Sequence, residues 1–234
     1  NQDDDTKSNN LLYRSKKAYS RGHGCAGDWE ISEDGNCGSV FSNLFPEFEV
    51  KPIVPASLTD TKEPISLSFL ENSCLDEPVD QAREKIINNL KRFHSEYKSW
   101  ILKLEQEAEK LEDHLKSTAL EHIKNCNEAS DRILSGINLL ANDEKALFSF
   151  RLANYAMLLQ QISGSLKSRK IEENIYLPED LINENKDRKW FPFQLAFILL
   201  SLDGVPISDT HNIDSQKLVD LIWFPTGGGK TEAY

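Results

Sequence analysis

No stretch of this sequence approaches the roughly 20 consecutive apolar residues that a membrane span needs, so no membrane partner is expected. The opening NQDDDTKSNN is acidic and polar, so no signal peptide is expected there. Position 1 is Asn rather than Met and the chain stops at Tyr234. An ordered piece of a longer protein is therefore expected. Cysteine pairs are also lacking. Cys25, Cys37, Cys74 and Cys126 stand far apart with no Cys-x-x-Cys spacing. Cys25 and Cys37 could join His23 around zinc, but no fourth ligand stands at finger-like spacing. The competing account is reduced thiols in a cytoplasmic protein. A basic excess is missing too, with 27 Lys and Arg against 38 Asp and Glu and a net charge of −11. That argues against a nucleic-acid groove over the whole surface, though not against a local basic patch.

What is present is a globular composition, 39% hydrophobic and 28% charged, and 234 residues suffice for one or two domains. Residues 1–20 carry both charge signs, with Arg14, Lys16 and Lys17, and read as a loose arm. GHGCAGDW, residues 22–29, is glycine-rich and is not expected to hold regular structure for long. Around His23 it could bring backbone close to DNA or to another domain, or form a turn with Trp29 buried. Short extended pieces are predicted at 39–45, 48–53 and 65–70, separated by Pro46, Pro52, Pro55 and Pro64.

The character changes at Pro78. No proline or glycine interrupts 79–125, and Ile86, Leu90, Phe93, Tyr97, Trp100, Leu104, Leu111 and Leu115 recur at helical intervals, widened by Ile101 and Ala108. One long amphipathic helix is predicted, packed against one or two others. A helix of about 45 residues could instead act as a lever or docking arm roughly 65–70 Å long. More helix is predicted over 128–140. Asn142 or Asp143 should cap a helix over 144–162 that buries Leu147, Phe150, Leu152, Ala153, Met157 and Leu158 and stops at Gly164. Residues 165–170 read as an exposed connection, and Pro178 and Asp180 open a short helix. Beyond Lys189 the pattern is an apolar helix over 191–202, a loop over 203–216 and a buried parallel strand over 217–224.

That strand runs into PTGGGKT. A phosphate-binding loop needs glycines that let backbone N–H groups turn inward, a lysine that reaches the β and γ phosphates, and a hydroxyl for Mg²⁺. Gly227, Gly228 and Gly229 supply the curl, with Thr226 beside them in the binding set. Lys230 and Thr231 carry the chemistry, Lys230 on the phosphates and Thr231 on Mg²⁺. A following helix would aim its N-terminal dipole at the same phosphates. Phe224 occupies the position where the general pattern has glycine. ATP and Mg²⁺ are the expected ligands, and the alternative is a glycine-rich turn between strand and helix.

PTGGGKT resembles the loop of superfamily 2 helicases, where a non-glycine at the first position is tolerated and an upstream glutamine reads adenine. Gln194 in WFPFQLAF resembles that glutamine; otherwise it is a helix residue facing solvent. FQLAFILLSL followed by DLIWFPTGGGKTEAY, with GHGCAGDW, LFPEFEV and RLANYAMLLQ in the same order, is similar to the DrmA family. These are the helicase-like subunits of DISARM bacterial anti-phage systems. The resemblance implies a multi-domain ATPase with two RecA-like lobes that engages DNA and works beside a DUF1998-type partner subunit. It also implies a setting with a DNA methyltransferase and a phospholipase-D-like nuclease that restricts unmodified DNA.

The expected fold is mixed. An irregular region with short strands over 1–77 precedes a long-helix domain over 78–189. The start of an α/β RecA-like P-loop NTPase lobe follows over 190–234. Two functions follow from these features. One is an ATP-driven DNA helicase or translocase in anti-phage defence, with this segment as its N-terminal part. The other is an ATP-binding scaffold or DNA-recognition subunit that uses nucleotide as a conformational latch. The chain by itself is expected to build only the edge of the ATPase site and not to turn over.

Overall fold

A computed structural model describes residues 3–43, 65–168, 178–205, 219–221 and 229–233 of the chain. Contacts divide the chain into two units, Asn1–Ile53 with Ala108–Glu121, and Val54–Glu107 with His122–Tyr234.

In the first unit, helix α1 (Asp4–Leu12) stands where a loose arm was expected. The Asp3 carboxylate accepts the Thr6 N–H at 2.7 Å, and Asp4 and Asp5 lie in the first turn. Carboxylates there satisfy free N–H groups and complement the helix dipole, so the acidic run is a helix start. The glycine-rich stretch is irregular over 22–25 and regular from Ala26. Strand β1 (Ala26–Ile31) pairs antiparallel with β2 (Cys37–Asn43), Trp29 opposite Val40, with a register shift between Glu30 and Ile31. Tyr19 packs edge-on against Trp29, ring centroids 6.0 Å apart, and Trp29 is half-buried. Strand β2 takes in most of the extended piece predicted at 39–45. The piece predicted at 48–53 lies outside the described residues.

In the second unit, the short helix α2 (Phe69–Ser73) replaces the strand predicted at 65–70. Ser68 caps it by accepting the Glu71 N–H, a local bond that competes with an extended conformation. What remains of strand pairing is one antiparallel bridge, Ser68 with Lys189. Flanking it, the Phe69 N–H donates to the Arg188 carbonyl and the Trp190 N–H to the Leu67 carbonyl.

Helices α3 (Val79–Ala108) and α4 (Asp113–Asn142) take the place of the single helix predicted over 79–125. Within this unit they run antiparallel, with His94 Nε2 2.9 Å from Ser130 Oγ and Lys98 Nζ donating to Asn127 Oδ1 at 2.9 Å. The reversal lets Ile86, Leu90 and Phe93 bury in one core with Ile133, Ile137 and Leu140. Each such side chain contributes about 1.5–3 kcal/mol when buried, more than the few helical hydrogen bonds lost at a break. The buried stripe is also turned slightly from expectation, because Trp100 is 47% exposed while the neighbouring Ile101 is 1% exposed.

Helix α5 (Glu144–Ser168) starts after the Asp143 cap, whose Oδ1 accepts the Ala146 N–H at 2.9 Å. It continues through Gly164 and into 165–168, where a stop and a connection were predicted. Leu147, Phe150 and Leu158 are buried, but Leu152 and Ala153 are exposed, and Arg151 and Asn154 are buried in their place. Polar partners explain the rotation. Arg151 Nε donates to the Ser73 carbonyl at 2.9 Å, and its guanidinium also reaches the carbonyls of Cys74 and Glu77. These close the C-terminal end of α2, where Cys74 adopts a left-handed conformation. Asn154 Oδ1 accepts the Trp190 Nε1–H at 2.8 Å.

Helices α6 (Pro178–Glu184) and α7 (Pro192–Ser201) form where sequence places them. Of the strand predicted over 217–224, Val219, Asp220 and Leu221 are described. They carry no regular structure, and Val219 and Leu221 are 95% and 85% exposed. A parallel strand takes its ladder from neighbouring strands, and among the described residues the only strands are β1 and β2. Among the described residues no helix is long and apolar enough to cross a membrane, and no group of His, Cys, Asp and Glu could hold a metal ion. The four cysteines are free thiols.

Candidate nucleotide site

Helix α7 organises this region. Its first residue is Pro192, whose missing N–H costs nothing at a helix start. Phe191, just before it, has no polar side-chain atom to cap the helix. Gln194 answers from within the helix, its Oε1 accepting the Phe191 N–H at 2.7 Å. The reciprocal backbone bond, from the Gln194 N–H to the Phe191 carbonyl, measures 3.0 Å. Gln194 is 3% exposed, so the solvent-facing alternative does not hold.

The other end of the same amide leaves the helix. Gln194 Nε2 donates to the carbonyl of Gly229, 35 residues away in sequence. Gly229 has φ +85°, a conformation that side chains rarely adopt. A Cβ placed there would stand 2.9 Å from Gln194 Nε2 and 3.3 Å from the Phe191 ring. Glycine is therefore required at 229 on two grounds, backbone conformation and the close approach of α7. Lys230 follows, half-buried, and Thr231 is exposed at the start of a 3-10 turn, Thr231–Ala233. Thr226, Gly227, Gly228 and Phe224 lie outside the described residues.

The opposite end of α7 is held differently. Gly136 of α4 sits against the Leu199 backbone, where an added Cβ would stand 2.0 Å from the Leu199 carbonyl oxygen. One turn before Gly136, Arg132 donates to the Leu200 carbonyl at 3.1 Å and forms a two-pronged ion pair with Asp220, at 2.7 and 2.6 Å. Both side chains are about three-tenths exposed or less, so the pair contributes about 1–2 kcal/mol after solvent screening. The hydrogen bonds from Arg132 hold the Asp220 carboxyl below the usual range against the opposing effect of burial. Asp220 in turn raises the Arg132 pKa.

The arrangement brings Gln194 and Gly229 together, with Lys230 and Thr231 next in the chain. The described part suits a nucleotide in specific ways. The Gln194 amide keeps a second N–H and a second Oε1 lone pair beyond the bonds it makes. Gly229 makes a positive-φ bend of the kind phosphate loops use, and Thr231 is exposed. Sequence reasoning missed Arg132, Gly136 and Asp220. The one local signal was Asp220, a charge interrupting the apolar run 217–224.

No family model matches the chain. Over 231 residues, 96% of the chain, it is 34% identical to DISARM protein DrmA of Bacillus paralicheniformis (strain ATCC 9945a / NCIMB 11709 / CD-2). The chain is similar to DrmA over nearly all of its own length. The match covers 19% of that protein, so the chain spans about a fifth of the length of the DrmA relative it matches. Most of the elements described above therefore have a DrmA sequence to compare with.

Proposed function

We propose that this chain supplies a helical domain and the nucleotide-binding edge of a RecA-like lobe to an ATP-dependent DNA helicase or translocase of DISARM-type anti-phage defence. The observation that carries the reading is the bond between Gln194 and Gly229. Two motifs assigned from sequence to adenine and to phosphate, 35 residues apart, are in direct contact through α7. The likeness to DrmA supports the defence setting.

In this reading Gln194 orients adenine, and Thr226, Gly227, Gly228 and Gly229 enclose the phosphates. Lys230 draws charge from the β and γ oxygens, and Thr231 holds Mg²⁺. The metal neutralises charge on the transferring phosphate. The protein is cytoplasmic and engages DNA beside a DUF1998-type subunit. The regions 1–77, 78–189 and 190–234 are the short-strand, long-helix and nucleotide-binding segments of the working protein.

The test is ATP hydrolysis by a full-length protein containing this chain, with and without single- and double-stranded DNA, beside Lys230→Ala. DNA-stimulated turnover abolished by the substitution is the expected result. ATP binding without DNA-stimulated turnover would instead support a nucleotide latch on a recognition scaffold. Absence of ATP binding would end the nucleotide reading.

A further inference from the structure

The ion pair between Arg132 and Asp220 has no part in the chemistry assigned above, yet it links the helical bundle to the chain that leads to Lys230. Asp220 stands ten residues before Lys230. Arg132 lies two-thirds of the way along α4, and α4 is fixed in the core through Ile133 and Ile137, both 2% exposed or less. A guanidinium that grips a carboxylate with two parallel bonds sets direction as well as distance. A third bond to the Leu200 carbonyl ties the same side chain to the end of α7. Helix α7 in turn holds Gly229 from its other end through Gln194. Asp220 and Gly229 are therefore held by side chains of helices that Gly136 keeps in backbone contact.

We propose that Arg132 is a positioning residue for the nucleotide site, holding Asp220 against α4 and α7 ahead of Gly229 and Lys230. The inference rests on the nucleotide reading and adds to it a second anchor, supplied by the helical domain. Arg132 touches no substrate. Its loss lowers the fraction of molecules whose loop is competent to bind, so the apparent dissociation constant rises by the inverse of that fraction.

The experiment compares wild type, Arg132→Ala, Asp220→Asn and the double variant in the full-length protein. It reads the ATP dissociation constant, the KM and kcat of hydrolysis, and amide hydrogen exchange without nucleotide. The expected result for either single variant is a rise of about tenfold in dissociation constant and KM with kcat little changed. The double variant should be no worse than either single one, because both remove the same link. Exchange should quicken at 229–233 while α3 and α5 stay protected, a pattern that general destabilisation does not produce.

Unchanged affinity in folded Arg132→Ala overturns the inference and leaves the nucleotide reading intact. Additive losses in the double variant also overturn it. Failure of wild type to bind ATP ends the nucleotide reading, and exchange then decides the anchor alone. Unaltered exchange at 229–233 refutes it.

Discussion

Gly136 and Gly164 both lie inside long helices, and replacing each with alanine should move stability in opposite directions. In a helix interior the exchange alone contributes about 0.5–1 kcal/mol in favour of alanine. At Gly164 nothing lies within 4 Å of the added Cβ, so Gly164→Ala should keep that gain. At Gly136 the Cβ would stand 2.0 Å from the Leu199 carbonyl oxygen and 2.9 Å from its carbon. Carbon and oxygen normally approach to about 3.3 Å, so α7 must retreat by roughly 1.3 Å. The obstacle is backbone and cannot rotate away. Leu195 and Leu199 are fully buried and would move with it, and a gap of even 0.5–1 Å forfeits about a quarter to a half of each dispersion contact. Overpacking costs typically about 1–3 kcal/mol, and an unyielding neighbour puts this site at the upper end. After subtracting the helix gain, Gly136→Ala should destabilise by about 2 kcal/mol. Urea titration of the two variants beside wild type measures this, read as shifts in midpoint at constant slope. A Gly136→Ala protein as stable as Gly164→Ala would refute the close approach of α4 and α7.

Arg151→Met keeps the aliphatic stem but removes the bonds to the carbonyls of Ser73, Cys74 and Glu77, of which Cys74 keeps the Glu77 N–H at 3.1 Å. At about 1 kcal/mol for each lost bond, the variant should lose about 3 kcal/mol in denaturant titration, whereas a loss under 0.5 kcal/mol would contradict the buried network. The Asp220 carboxyl is held below its ordinary value of 3.8. Its contribution should be fully present above about pH 4 and should fall away as pH drops through the depressed value. Asp220→Asn should remove that part of the acid dependence, which stability curves between pH 2 and pH 6 would reveal.

Helix α7 and the helical character of 79–142 were legible in sequence because apolar spacing is a local property, and Pro192 and Asp143 mark starts with their own chemistry. The Asp3 cap was equally local, but its acidic run reads as a solvated tail until the helix behind it is seen. The reversal between α3 and α4 carries no proline or glycine. It comes from the energy of pairing two apolar stripes, which no window of sequence contains. The burial of Arg151, Asn154 and Gln194 has the same origin, since each is inside only because a distant carbonyl or indole meets its polar atoms.

For the candidate site, sequence alone supplied the residue types, three glycines, a lysine and a threonine, in the order that a phosphate-binding loop uses. Tertiary structure decided what that loop touches. Gln194 meets Gly229, and Arg132 meets Asp220 across 88 residues. Such contacts depend on how α4 and α7 pack, and that packing depends on a hydrogen atom at Gly136 where any side chain would hold the helices apart.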